Sequence, residues 1–175
     1  MSVFDFAAPL PDRLYWDSSF LVNVAFAAAK LHQPCAAYYY RLQEVGVPVI
    51  LSNLALDETW YSLLKLETEQ THSPQSFWEM YREEAKRLRP IFQKLREFTT
   101  RLIQLSHVTL VGMEANAYET ALTVMERSFL LPRDAYHWAL MQANGLSAVA
   151  TTDADFTRIP EVTIYTCNER ILTSR

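Results

Sequence analysis

Short β-branched or aromatic runs alternate along this chain with longer stretches of helical periodicity. Leu14-Tyr15-Trp16 is an apolar run that reads as a strand, with Asp17 at its carboxyl end. Ser18 or Ser19 can cap a helix running through Phe20, Val24 and Ala27, because a side-chain oxygen there satisfies a free N–H of the first turn. A second helix covers about Cys35 to Val45, and Gly46 suits the left-handed position that ends it. Val47 to Leu51 is the second strand, with Pro48 near its start, where a missing donor costs least. Ser52 or Asn53 caps the next helix, which carries Leu54, Glu58, Tyr61, Leu64 and Lys65. Ser73-Pro74 signals another helix start, and a charged segment follows to about Leu105. It reads as two helices interrupted at Pro90. Val108 to Val111 is a third strand ended by Gly112, and Ala115 to Arg127 has helical periodicity. Pro132 opens a helix from Arg133 to Asn144, closed by Gly145. Ser147 to Thr151 is a fourth strand leading to Asp153 and Asp155, and Val162 to Tyr165 is a fifth.

This order predicts an α/β fold: a three-layer sandwich whose central parallel sheet has about five strands, with helices on both faces. Ligand sites in such sheets lie beyond the carboxyl ends of the strands. A length of 175 residues suits one domain, residues 1–175, with a sizeable core. Glycine is scarce, at 3, and no phosphate-cradling G-x-G-x-x-G or G-K-[ST] motif is present. Cys35 and Cys167 are far apart and lack C-x-x-C spacing, so neither a zinc knuckle nor a disulfide framework is expected. A reduced, cytoplasmic location follows as the expectation. No apolar stretch reaches the length of a membrane span; Val22 to Ala29 is cut by Asn23 and stopped by Lys30. Met1 to Asp12 has no basic region and carries Asp5, which argues against a secretory signal.

Charge changes the picture in two places. The net charge of −4 argues against broad nucleic-acid affinity. Between Met80 and Arg101, however, Arg82, Lys86, Arg87, Arg89, Lys94, Arg96 and Arg101 face only Glu83, Glu84 and Glu97. Such a stripe is either a solvated helical face or a surface for phosphates or an acidic partner. The acids are the second place. Asp17, Glu58, Asp134 and the pair Asp153/Asp155 lie at the ends of apolar runs or within amphipathic helices, where an unpaired carboxylate is costly to bury. Strand-end Asp17 and Asp153/Asp155, with Glu58 and Asp134 in the N-terminal halves of their helices, can converge on one sheet edge. A pocket of clustered carboxylates suits Mg²⁺ or Mn²⁺. Taken singly, Asp17 can be a helix cap, Asp134 a partner of its helix dipole, and Asp153/Asp155 an Asx-turn. Asp57 neighbours Glu58 and points about 100° away on a helix, so one of the two faces the pocket and periodicity does not say which. His137 shares a helix face with Asp134; it can be a ligand, and a core or supporting histidine is the favoured reading.

Four stretches in order resemble the PIN domain, the metal-dependent ribonuclease fold that includes the VapC toxins. They are YWDSSFLV at Tyr15 to Val22, SNLALDET at Ser52 to Thr59, LPRDAYHWA at Leu131 to Ala139, and ATTDADF at Ala150 to Phe156. The resemblance runs from Tyr15 to about Tyr165. It selects Glu58 over Asp57, and it implies Asp17, Glu58, Asp134 and Asp153 as catalytic acids. Asp17, Asp134, Asp153 and Asp155 are the implied ligands for Mg²⁺ or Mn²⁺, and Ser19 and Thr152 support them. Glu67 to His107 looks like an enlarged helical insertion, residues 67–107, relative to the family's toxins. Arg82, Lys86, Arg87 and Arg89 within it are candidate substrate contacts.

The expected function is a divalent-metal-dependent endoribonuclease hydrolysing RNA phosphodiesters, as the toxin of a toxin–antitoxin pair. The resemblance implies an RNA substrate, an antitoxin partner and a homodimer, with no membrane association. One alternative is a non-catalytic PIN-like module that binds RNA or protein. Another is an acid-pocket phosphohydrolase, although Ser18 and Ser19 stand where a D-x-D would follow the first strand.

Overall fold

A computed structural model describes residues 1–73, 75–112 and 117–173. Its centre is a six-stranded, wholly parallel sheet. The strands are β1 (Ser2–Asp5), β2 (Leu14–Trp16), β3 (Val49–Ser52), β4 (Val108–Val111), β5 (Ala148–Ala150) and β6 (Thr163–Thr166). Their spatial order is β1-β6-β5-β2-β3-β4. The chain winds from β2 outward through β3 to β4, then returns to build β5, against the other side of β2. The crevice beyond the carboxyl ends of β2 and β5 is therefore a topological switch point, the place where open α/β sheets bind ligands.

The central strands are buried throughout and send alternate side chains to opposite faces. Leu14, Trp16, Val49, Leu51, Ala148 and Ala150 join one core. Helices α1 (Ser18–Ala25) and α2 (His32–Val45) pack there through Phe20, Leu21, Tyr38 and Leu42. Tyr15, Ile50, Val149 and Ile164 join the other core, beneath α6 (Ala117–Ser128) and α7 (Pro132–Ala143). Each large side chain so enclosed stabilises the fold by about 1.5–3 kcal/mol. Helix α3 (Asn53–His72) follows β3, and a short α8 (Glu169–Leu172) follows β6. Helices α4 (Phe77–Glu84) and α5 (Arg89–Ile103), with the 3-10 turn Ala85–Leu88 between them, build a smaller cluster of Phe77, Met80, Leu88 and Ile91, with Leu64 of α3 packed against it.

Several local expectations need correction. The sheet has a sixth strand, β1, which pairs with β6 at the edge. It escapes hydrophobic pattern reading because Val3 is its sole buried side chain. Asp17, not Ser18 or Ser19, is the N-cap of α1, accepting from the Ser19 N–H, and that helix stops at Ala25. Ser73 closes α3 rather than opening a helix, and Pro74 lies outside the described residues. Ser76 starts α4 instead, through a reciprocal capping box with Glu79. Pro90 sits in the first turn of α5, where its missing N–H costs nothing; the break is the 3-10 turn Ala85–Leu88 before it. Residues 115 and 116, expected to open α6, also lie outside the described residues. Among the described residues no helix is long and apolar enough to cross a membrane.

Candidate active site

The site begins with three adjacent strand ends. Asp17 follows β2 directly, and its backbone N–H donates to the Ala150 carbonyl of β5. It is 3% exposed. Its Oδ2 accepts from Ser19 Oγ at 2.6 Å, Thr151 Oγ1 at 2.8 Å and the Ser19 N–H at 3.3 Å. That oxygen is therefore committed to protein donors, while Oδ1 lies 3.9 Å from His137 Nε2. Helix capping and site membership are here one arrangement: the cap bond fixes the carboxylate that faces the pocket.

Ser52 ends β3 and caps α3, accepting the Ala55 N–H at 3.0 Å. This fixes the helix phase so that Glu58 turns to the sheet edge and Asp57 turns outward. Glu58 Oε2 accepts from Ser18 Oγ at 2.7 Å and pairs with His137 Nε2 at 2.9 Å, while Oε1 lies 3.6 Å from Arg133 Nε. Behind His137, Nδ1 is 2.7 Å from the Tyr15 hydroxyl, which is 2.5 Å from Ser52 Oγ. A continuous polar chain thus runs from the cap of α3 through Tyr15 and His137 to Glu58. Burial pushes the Tyr15 phenol far above its ordinary range, so it remains neutral.

Asp134, in the first turn of α7, and Asp153 and Asp155, in the turn after β5, complete the wall. Thr151 Oγ1 accepts the Asp153 N–H at 2.9 Å, and Asp153 Oδ1 accepts the Asp155 N–H at 3.0 Å. Asp155 also pairs with Arg158 at 3.3 Å, and Arg158 donates to the Phe129 carbonyl at 2.7 Å, joining the two turns that flank the site. Asp17, Glu58, Asp134, Asp153 and Asp155 all line one cavity of about 550 Å³. Ser19 and Thr152 stand behind it, joined by a 2.9 Å bond from the Thr152 N–H to Ser19 Oγ.

The charges respond to this crowding. Burial, and then the charges of Asp153, Asp155 and Asp17, push the Asp134 carboxyl up to about 6. Burial also raises Asp153, although the Asp155 N–H offsets part of that rise. Burial would raise Glu58 too, but bonding and charge from His137, with Ser18 and Arg133, hold it below the usual range. Burial would lower His137, yet the Glu58 bond and the charges of Asp17, Glu58 and Asp134 raise it. The pocket thus holds more negative charge than its one histidine and nearby arginines neutralise. A divalent cation would relieve that excess.

The donor set fits such an ion. Asp17, Glu58 and His137 each offer one ligand atom, and the three lie within 4.8 Å of one another. Ligand atoms about 2.1 Å from one ion stand about 3–4 Å apart, so small side-chain shifts suffice. Asp134 and Asp153 supply further oxygens to the same cavity.

The sequence placed His137 beside Asp134 but not its bonds to Glu58 and Tyr15, and sequence reasoning missed Arg133, Thr151 and Tyr15. Each has its signal only through contacts made across more than 70 residues. Conversely, Arg82, Lys86, Arg87 and Arg89 do not line the acid cavity; all four are exposed, and Arg87 pairs with Glu84 at 2.9 Å. A separate, apolar cavity of about 500 Å³ lies between α3 and α5, with Asp57, Trp60 and Phe92 on its walls.

The comparisons with known proteins agree with this architecture. No curated protein matches the chain. Among solved structures, the Mycobacterium tuberculosis VapC20 toxin, which cleaves the sarcin–ricin loop, is similar with a TM-score of 0.56 at 19% identity, over 84% of this chain and 95% of that one. VapBC2 from Rickettsia felis, bound to a promoter DNA fragment, is similar at 0.55 and 12% identity, over 88% and 98%. A toxin–antitoxin complex from Klebsiella pneumoniae is similar at 0.51 and 16% identity, over 85% and 94%. At these identities the likeness is one of fold. The sequence itself matches the PIN domain model over residues 14–162, so the chain belongs to the PIN domain family.

Proposed function

We propose that this protein is a divalent-metal-dependent endoribonuclease whose working acids are Asp17, Glu58, Asp134 and Asp153. The observation that carries the reading is the convergence of these four carboxylates on one cavity at the switch point of a PIN-family sheet. Asp17, Asp134 and Asp153 would hold Mg²⁺ or Mn²⁺, with Asp155 contributing where Arg158 releases it. His137 would act from behind, its Nε2 holding Glu58 at 2.9 Å beside Asp17. The bound ion supplies charge neutralisation at a phosphate oxygen and a more acidic water. Glu58, held by Ser18 and His137, orients a water or the outer coordination shell. Ser19 and Thr151 keep Asp17 Oδ2 saturated, so Oδ1 is the oxygen that would be left to hold an ion. Thr152 fixes the turn through Ser19. Arg133, 65% exposed at the rim, suits a backbone phosphate of the substrate.

The acid-pocket phosphohydrolase reading is weaker, because the cavity wall has no lysine for a terminal phosphate among the described residues. Residues 67–107 are read as an insertion with its own small core. Its basic face, including Arg82, Lys86, Arg87 and Arg89, would extend an RNA path beyond the cavity or meet a partner. The folds of the VapC and VapBC structures support a toxin role, with an acidic antitoxin and a homodimeric state as its corollaries. The test is incubation of the purified chain with single-stranded RNA. Cleavage in Mn²⁺ that stops on chelation and returns on re-addition is expected; retention of RNA without any cleavage would favour the non-catalytic binding module.

A further inference from the structure

The chain has two cysteines, 132 residues apart, and the fold brings their sulfurs to 3.7 Å. Cys35 lies in the first turn of α2 and is fully buried; Cys167 follows β6 and is partly exposed. Both are free thiols. The contact makes them unequal. The hydrogen bond from Cys35 holds the Cys167 thiol below its ordinary range, against the effect of burial. The same bond, then burial, pushes Cys35 up. Cys167, the less buried of the two, is the one a small oxidant can reach first, and Cys35, 3.7 Å away, is positioned to resolve whatever forms on it.

We propose that Cys35 and Cys167 are an oxidation site that closes to an intramolecular disulfide on reaction with a hydroperoxide. The Cys167 thiolate attacks the terminal peroxide oxygen; an S–O bond forms, the O–O bond breaks, and the departing oxygen takes up a proton. The Cys35 thiol then gives up its proton and attacks the Cys167 sulfur. The S–S bond forms, the S–O bond breaks, and water leaves. Two thiols lose two electrons and the peroxide gains them. The sulfurs must close from 3.7 Å to roughly 2.05 Å.

The position gives the crosslink a consequence. Asn168, the next residue, donates from Nδ2 to the Thr152 carbonyl at 2.8 Å and caps α8. The disulfide would tie α2 to the turn that supports Thr152 while leaving the acid cavity open, because neither sulfur lines it. It would also close a loop spanning most of the chain, which constrains the unfolded state.

The test uses the full chain treated with graded hydrogen peroxide, then denatured and alkylated without reductant. Expected is simultaneous loss of both alkylation adducts and an intact mass lower by about 2 Da. A tryptic crosslink should join the peptides Leu31 to Arg41 and Ile159 to Arg170. The melting temperature should rise by roughly 5–15 °C and return with dithiothreitol. In Cys35→Ser, Cys167 should instead accumulate a dimedone-reactive sulfenic acid. Oxidation of Cys167 with Cys35 still alkylatable in the wild type would overturn the proposal. So would disulfide-linked dimers in place of the internal bond, or methionine oxidation before either thiol is consumed.

Discussion

Asp134 is the residue at which the proposed function and stability pull in opposite directions. Its folded carboxyl is raised to about 6 by burial and three neighbouring acids, against about 3.9 for a free Asp. Between those values the folded chain holds a proton that the unfolded chain has released, so this group's contribution to stability falls as pH rises from about 4 to about 6. Glu58 works the other way: its carboxyl is depressed, and its stabilising contribution is lost as pH falls through its folded value. Asp134→Asn should therefore raise the melting temperature of the metal-free protein at pH 8, but hardly at pH 4. It should also shrink the stabilisation given by Mn²⁺, and thermal scans at the two pH values with and without metal check both. A variant less stable at pH 8 would mean that Asp134 is held by favourable contacts. At this scale the acids were legible as a set: each alone has a structural account, and Asp17 is indeed the cap of α1, but several placed to meet at one sheet edge would be costly without a shared partner. Their partners were not. Nothing near Tyr15 or His137 in sequence announces a polar chain between them. Periodicity alone could not separate Asp57 from Glu58; the resemblance chose Glu58, and the Ser52 cap of α3 supplies the physical reason.

Elements were legible where one local signal dominated and were misplaced where two competed. Gly46 closes α2 at φ 74°, as the left-handed end position requires, and no atom would obstruct an added Cβ. The cost of Gly46→Ala is therefore the backbone conformation alone, about 1 kcal/mol, readable as a shift in the denaturant midpoint; Gly46→Asn should cost less. Equal stability of Gly46→Ala and the wild type would show that the turn relaxes. At the start of α4, Ser73-Pro74 outweighed the Ser76–Glu79 capping box, although both are written in the sequence. The reciprocal box satisfies two helix donors, which a Ser-Pro start cannot do. Strand β1 lacked any signal of its own: one inward residue in four is all an edge strand needs, and its pairing with β6 comes from the far end of the chain.

For the whole molecule, strand order creates the site. Placing β5 beside β2 puts Thr151 and Asp153 next to Asp17, a juxtaposition of segments some 130 residues apart. The alternation of strands and helices made the fold class legible, and the strand-end rule placed the pocket. Long-range pairings, including the meeting of Cys35 with Cys167, could come only from the folded chain. The same topology leaves the basic face of α4 and α5 off the cavity wall, so substrate choice is a question separate from the chemistry. That chemistry is tested most directly by the rate at which purified protein cleaves single-stranded RNA in Mn²⁺, with Asp17→Asn compared to the wild type. On the proposed reading Asp17→Asn removes a metal ligand, which should slow cleavage by roughly 10³-fold, with an unchanged circular dichroism spectrum. Cleavage by Asp17→Asn at the wild-type rate would contradict the assignment of this pocket as the active site.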